Sequence, residues 1–346
     1  MTTGTYDRYG LTSNPFRELA AESLSDVEIY HVRTRIDEAI ASIKDEVLEK
    51  ENRAVVALVG PLGAGKTQRL LLAASEGRER KAFTVYFEIT QKTAWVLKGL
   101  AQEIQESAQK GGLSKTFSSP AWYREVGALL TLKDQGYDPV KAGKTIAKAL
   151  NETAPSFLLL NDLHNLSSTT EAVAFARTLQ EIADAIKPGV LVMFGAYPSY
   201  MEALAKAHPA LVSRINRTFS LPALSDEEAC LLIAKKLLAK RLVEELEPLF
   251  PFEKNAVAVL NRTVGGNPRR LLEIADRVLE YAVEHRSYRI DADVVEAVLA
   301  SKETAEAIAA VPTPATRPLS PAPGGDARAP GSAPSASSAV AANDRR

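Results

Sequence analysis

The sequence predicts an α/β protein: a parallel sheet covered by helices, then a small all-helical domain, then a disordered tail. Three observations carry this expectation. Short apolar runs alternate with helical patterns up to about residue 224, as expected for buried parallel strands joined by crossover helices. After Leu224 the pattern is helical only. From about Val311 the chain is Pro, Ala, Ser and Gly without an apolar period. Such a composition cannot bury enough surface to offset the entropy of ordering. The expected divisions are 1–224, 225–303 and 304–346.

The strands expected in order are Ala54–Val59, Ala82–Ile89, Phe157–Leu160 and Val190–Phe194, with a short fifth at Thr218–Leu221. Helical patterns lie at Ile36–Leu48, Gln68–Ala74 and Ala94–Ala108. In the second domain, Ser225-Asp226-Glu227-Glu228 reads as a capping box, with Ser225 accepting from the third amide and Glu228 reaching back. The helix it opens is expected to run to about Leu246. Another covers Glu253–Thr263, Gly265-Gly266-Asn267-Pro268 interrupts it, and Arg269–Glu284 follows. A last helix begins at Ile290-Asp291-Ala292-Asp293 and reaches about Ser301.

Bulk properties narrow the function classes. The 346 residues are 46% hydrophobic and 25% charged, with a net charge of -1. No global basic field calls for nucleic acid or an anionic membrane. The single cysteine, Cys230, cannot form an internal disulfide or a zinc site alone and sits in an apolar helical pattern as a core residue. The first residues have no signal-peptide core, and no apolar run approaches the roughly 18 residues of a membrane span. A cytoplasmic protein without membrane insertion is expected.

The motif that carries chemistry is Gly60-Pro61-Leu62-Gly63-Ala64-Gly65-Lys66-Thr67. It fits G-x-x-x-x-G-K-[ST], directly follows a buried strand and, with Gln68, opens a helix. Glycines let successive N–H groups turn onto an anion, and the helix N-terminus adds free amides and a positive dipole end. Lys66 reaches the outer phosphates of ATP, and Thr67 offers a hydroxyl to Mg²⁺. At average residue usage such a pattern arises by chance in roughly 1% of chains this long. Ala142-Gly143-Lys144-Thr145 repeats the last four letters, but no apolar strand precedes it. It is expected to start a surface helix.

Phosphate-cradle hydrolases place acids at the end of a neighbouring strand, to hold the metal and polarise water. Here that strand ends Asn161-Asp162. One of two expected acids is an amide. Either Asp162 activates water beside a weakened metal site, or it supports the metal and no dedicated base exists. Both versions predict that ATP binding survives better than hydrolysis. His164 and Asn165 follow on the same turn; His164 is either near the γ-phosphate or a structural or interface residue.

Together these motifs resemble AAA+ ATPases. The order is a Walker A loop at 60–67, a Walker B-like strand at 157–162, and an apolar strand ending Gly195-Ala196. Arg214 and Arg217 follow, then Gly266-Asn267-Pro268-Arg269 in a helical lid. The branch it is most similar to contains archaeal Orc1/Cdc6 initiators, ExeA-like ATPases and TnsC/TniB transposition regulators. Tyr9-Gly10-Leu11-Thr12-Ser13-Asn14-Pro15-Phe16 resembles the start of ExeA-like proteins. The resemblance implies that Arg269 is a sensor 2 arginine facing the γ-phosphate. It also implies that Arg214 or Arg217 is an arginine finger for a neighbouring chain, hence a homo-oligomer. Asn14–Phe16 and His31-Val32-Arg33 lie where such proteins hold adenine.

Departures from the family are Asn161 and a sensor 1 stretch, Phe194–Ser199, without the expected Asn, Thr or Asp; Ser199 sits late. Residues 110–156 are longer than a minimal core, with Trp122, Tyr123 and Arg124 forming either a partner surface or a helical elaboration. No winged helix follows the lid. The function expected is a nucleotide-dependent oligomeric switch acting on a partner, in one version on DNA, with slow or impaired hydrolysis. The alternatives are an ExeA-like ATPase acting on protein assembly or secretion, and a non-hydrolysing ATP-binding scaffold.

Overall fold

The computed structural model describes residues 5–17, 29–90, 96–111, 120–132, 137–166, 169–301 and 304. The tail expected to be disordered lies outside the described residues apart from Thr304. No described helix is long and apolar enough to cross a membrane.

Five parallel strands form one sheet: β1 (Ala54–Val59), β2 (Phe83–Glu88), β3 (Ser156–Asn161), β4 (Val190–Ala196) and β5 (Arg217–Ser220), in the order β2-β3-β4-β1-β5. Every residue of β1, β3 and β4 is buried, which is why these strands read as unbroken apolar runs. Alternation still sets the faces. Val55, Ala57 and Val59 join one core cluster, while Ala54, Val56 and Leu58 join the other.

The second face is covered by α1 (Arg35–Leu48) and α2 (Lys66–Glu79), through Ile40, Val47, Leu70, Ala73 and Ala74. The first is covered by α3 (Val96–Lys110), α4 (Ala121–Leu130), α5 (Pro139–Glu152), α6 (Thr169–Ala185), α7 (Pro198–Ala207) and the short α8 (Pro209–Val212). The described residues between 110 and 156 are therefore largely a helical elaboration. Trp122 is 2% exposed, with its ring 6.0 Å from Phe83. The surface-helix expectation for Ala142–Thr145 is corrected. Gly143 lies against α6, where a Cβ would stand 2.7 Å from the Thr178 carbonyl oxygen. That glycine serves helix packing.

The all-helical part comprises α9 (Asp226–Leu238), α10 (Lys254–Thr263), α11 (Pro268–Glu284) and α12 (Ala292–Leu299). The capping box at Ser225 forms in both directions. α9 stops at Leu238, however, eight residues short of the expected end. The next backbone groups are spent on the N-terminal segment: Thr12 N donates to Lys240 O and Leu242 N donates to Gly10 O. Tyr9, Leu11 and Phe16 are fully buried in the same cluster as Leu260, Leu271 and Val278. The chain start thus packs as part of the lid. Cys230 is half-buried at the edge of this cluster.

Candidate nucleotide site

The carboxyl ends of β1, β3 and β4 lie side by side; the chain leaves β1 through α2 on one face of the sheet, whereas β4 beside it is reached through α6 on the other. Open α/β sheets bind ligands in the crevice beyond such a switch point. β1 delivers Gly60–Gly65, which turns directly into α2. Gly63 and Gly65 adopt φ of 80° and 87°, the left-handed region that a side chain resists. Gly65 is the N-cap of α2, so the helix's free amides open onto the loop, as in an anion cradle.

Lys66 is 5% exposed, and its Nζ donates to Gly60 O and Pro61 O, both at 2.9 Å. Burial pushes its pKa down to about 8, with the charge of Asp162 opposing. Thr67 Oγ1 donates to Asn161 Oδ1 at 3.2 Å. Asn161, 1% exposed, therefore occupies the position beside the Thr67 hydroxyl. Asp162 follows with φ of 58°, a left-handed conformation that Asp tolerates better than most residues. Burial raises its pKa, the Lys66 charge opposes, and Glu88 adds to the rise. Burial, then the Lys66 charge, lowers the His164 pKa to about 4.

The lid closes on the loop directly. Asn267 caps α11 by accepting from Arg270 N, and its amide nitrogen donates to Leu62 O at 2.7 Å. A Cβ on Gly63 would stand 2.5 Å from Arg269 Cβ and 2.7 Å from Asn267 Oδ1. Arg269 is thereby at the cradle; its Nε donates to Glu273 Oε1 at 3.0 Å.

Behind the loop, a cleft is lined by Tyr30, Val32, Thr34, Gln68, Leu221 and Leu232, among others. Of the base-side expectations, Val32 lines this cleft. His31 instead turns to Asp37, with Nε2 3.2 Å from Oδ1. The expectation for Asn14–Phe16 is corrected: Asn14 donates to Asp276 and Glu280 at 2.8 Å each, and the Phe16 ring meets Phe252. The N-terminal motif braces the lid because its apolar residues have a deeper site there.

The platform under the cleft is an ion-pair network that sequence reasoning missed. Arg69, 8% exposed, reaches both oxygens of Asp37, from Nε at 2.9 Å and NH2 at 3.0 Å. Burial alone would raise the Asp37 pKa. The His31 hydrogen bond and the Arg69 charge instead hold it well below the usual carboxylate range. Thr34 and Asp37 form the capping box of α1. That local box was the available signal.

The finger candidates lie elsewhere. Arg214 Nε pairs with Asp184 Oδ1 at 2.8 Å. Arg217 begins β5 opposite Val56, three residues before the end of β1. Ser199 falls inside α7, and Tyr197 is the residue that meets Lys66, its ring centroid 4.5 Å from Nζ.

Fold and cradle define a P-loop nucleotide-binding protein of the AAA+ architecture. Residues 48–202 match the family model for an AAA domain, and the fold is similar to those of ORC and Cdc6 proteins. The ORC2 protein of Aeropyrum pernix, in ADPNP and ADP complexes, superposes with a TM-score of 0.53 at 14% identity, over 82% of this chain and 71% of that one. Cdc6p of Pyrobaculum aerophilum gives 0.52 at 14%, over 81% and 68%. The Aeropyrum pernix ORC1 protein, in complex with DNA, gives 0.51 at 12%, over 82% and 68%. An uncharacterized HTH-type transcriptional regulator of Methanocaldococcus jannaschii is 26% identical over 113 residues. That stretch is 33% of this chain and 27% of the regulator.

The residues fit a nucleotide with a divalent metal. The cradle is complete, and Thr67 and Asp162 supply a hydroxyl and a carboxylate. Among the described residues no group of three or more His, Cys, Asp or Glu could hold a metal alone. Mg²⁺ suits such a place, being bound by one or two protein groups plus phosphates and water.

Proposed function

We propose that this chain is an ATP-dependent oligomeric switch that regulates a partner and hydrolyses ATP slowly. The observation that carries the proposal is Asn161, which takes the Thr67 hydroxyl at 3.2 Å. A carboxylate there would add a negative charge to the metal's surroundings; an amide adds none. The binding side is intact, with Gly60–Gln68 as cradle and Arg269 closing from the lid. Mg²⁺, held by Thr67 and Asp162, would neutralise charge on the outer phosphates. An oligomer fits the placement of Arg214 and Arg217, each away from its own cradle and one of them available to complete a neighbour's site. A partner that includes DNA is motivated by the ORC1 match, a protein described in complex with DNA.

The test measures ATP affinity and turnover for the wild type, Asn161→Asp and Asp162→Asn. Tight binding is expected, with turnover well below the roughly 10 s⁻¹ of a median enzyme. Asn161→Asp should raise the rate and Asp162→Asn should lower it. A wild-type rate at the median value sinks slow hydrolysis, and an unchanged rate in Asp162→Asn removes that residue from the chemistry. Duplex DNA added at low salt separates the DNA-linked version, where electrostatic binding is strongest. If duplex DNA there neither binds nor stimulates turnover, that version falls.

A further inference from the structure

Tyr197 follows β4, is the N-cap residue of α7 and is 6% exposed. It occupies the strand end where the resemblance expects a small polar residue. Lys66 Nζ lies over its ring at 4.5 Å from the centroid. The His164 ring packs against it as well, with centroids 3.8 Å apart and planes at 37°. His164 Nδ1 in turn is 3.9 Å from Asp162 Oδ1, beyond hydrogen-bond length. The Tyr197 ring thus lies between the cradle lysine and His164, on the turn that follows Asp162.

The chemistry of this arrangement is specific. An ammonium has three hydrogens. Lys66 gives hydrogen bonds to two loop carbonyls, and its charge also faces the negative π surface of a tyrosine. Such contacts strengthen when desolvated, and Lys66 is buried. The phenol itself lies within reach of two opposed charges. Burial raises its pKa, the Asp162 charge adds to the rise, and Arg269 opposes.

We propose that Tyr197 is a positioning residue of the nucleotide site, whose ring holds the Lys66 ammonium where the outer phosphates of ATP are drawn. The proposal rests on the ATP-binding reading above. The ring carries the effect, and the hydroxyl is dispensable. His164 backs the ring, with centroids 3.8 Å apart.

The experiment is calorimetric titration of ATP and ADP, with Mg²⁺, into the full chain carrying Tyr197→Phe or Tyr197→Leu. Thermal melts establish that each variant is folded. Tyr197→Phe should bind ATP within about twofold of wild type, because the π face is retained. Tyr197→Leu should weaken ATP about tenfold, and ADP clearly less, since Lys66 reaches toward the terminal phosphate. If Tyr197→Leu does not fold, Tyr197→Met fills similar space with an unbranched chain and carries the same expectation. Wild-type ATP affinity in a folded non-aromatic variant overturns the proposal. So does a Phe variant as weak as Leu, or equal losses for ATP and ADP, which mark a merely structural role. Should the wild type bind no better than Lys66→Ala, the ATP-binding reading itself fails, and that outcome is distinct.

Discussion

The phosphate cradle and the lid that faces it are built in opposite ways. The cradle is eight consecutive residues whose conformation follows from local rules: glycines at positive φ, then a helix start. The lid's hold on the rest is made between residues far apart in the chain. Asn267 reaches Leu62, Lys235 Nζ reaches the His31 carbonyl at 2.6 Å, and Tyr6 reaches Glu280. A motif written locally is readable from sequence, whereas a closure written by tertiary packing is not. The contrast also bears on function. On the ATP-binding reading proposed above, the cradle recognises the ligand, and the distant contacts set how firmly the lid closes over it.

The largest effect should come from the cradle alone. Lys66→Ala should reduce ATP affinity by about 100-fold or more, with little change in melting temperature. The removed ammonium contributes a charge-assisted contact to phosphate but was itself costly to bury. Calorimetry reads the loss, and retained affinity would break the assignment of the loop.

The next prediction tests whether the base-side platform belongs to the stable frame. Asp37→Ala strips the partner from Arg69, a buried cation, and should cost about 3–5 kcal/mol in chemical denaturation at pH 7. The pH sign follows from the direction of the shift. The folded-state pKa of Asp37 is below its unfolded value. Its stabilisation is present above the ordinary carboxylate range and is lost only as pH falls through the lower folded value. Wild type should therefore still exceed the variant at pH 4, with the gap closing in stronger acid. A gap already closed at pH 5 would falsify the network's role.

Much of the fold was legible. The four apolar runs and the short fifth candidate correspond to the five strands; β1, β3 and β4 read as unbroken runs because full burial in a parallel sheet removes the need for polar alternation, whereas β5 is largely exposed. The capping box at Ser225, the break at Gly265–Pro268 and the opening at Ile290–Asp293 all mark real helix starts, capped by Ser225, Asn267 and Asp291. The end of α9 was not legible, since it depends on Gly10 and Thr12 competing for the backbone that follows Leu238. In the site, the loop and the Asn161-Asp162 pair could be read directly. Tyr197 could not. Its sequence context is an ordinary strand end, and only the juxtaposition of β4 with the α2 start brings its ring to Lys66.

A third prediction strikes both regions at once. Gly63→Ala places a Cβ at positive φ, which costs about 1–2 kcal/mol, and drives it into Arg269 and Asn267 of the lid. A total loss of about 2–3 kcal/mol is expected, together with weaker ATP binding. If stability falls while affinity is untouched, lid contact and nucleotide binding are separable, and the comparison is sharpened in favour of the cradle acting alone.

The smallest effect should come from the lid's far side. Asn14 is 5% exposed and donates to both Asp276 and Glu280, two carboxylates one helical turn apart. Burial, then the Glu280 charge, raises the Asp276 pKa. Burial would raise that of Glu280 too, but hydrogen bonds from Tyr6, Asn14 and Arg17 lower it. The asparagine thus shields two like charges from each other. Asn14→Ala should cost about 2 kcal/mol at pH 7, the range for hydrogen bonds to charged groups. Its effect on ATP affinity should be slight, because Asn14 does not touch the cleft. Acidification should shrink the deficit. Asp276 takes up its proton at a higher pH than an ordinary aspartate, and with one carboxyl neutral the repulsion that Asn14 relieved is gone. Denaturation curves at pH 7 and pH 5 read this directly. A deficit that is the same at both pH values would show that Asn14 acts by packing alone, and the lid's N-terminal brace would then be apolar rather than electrostatic.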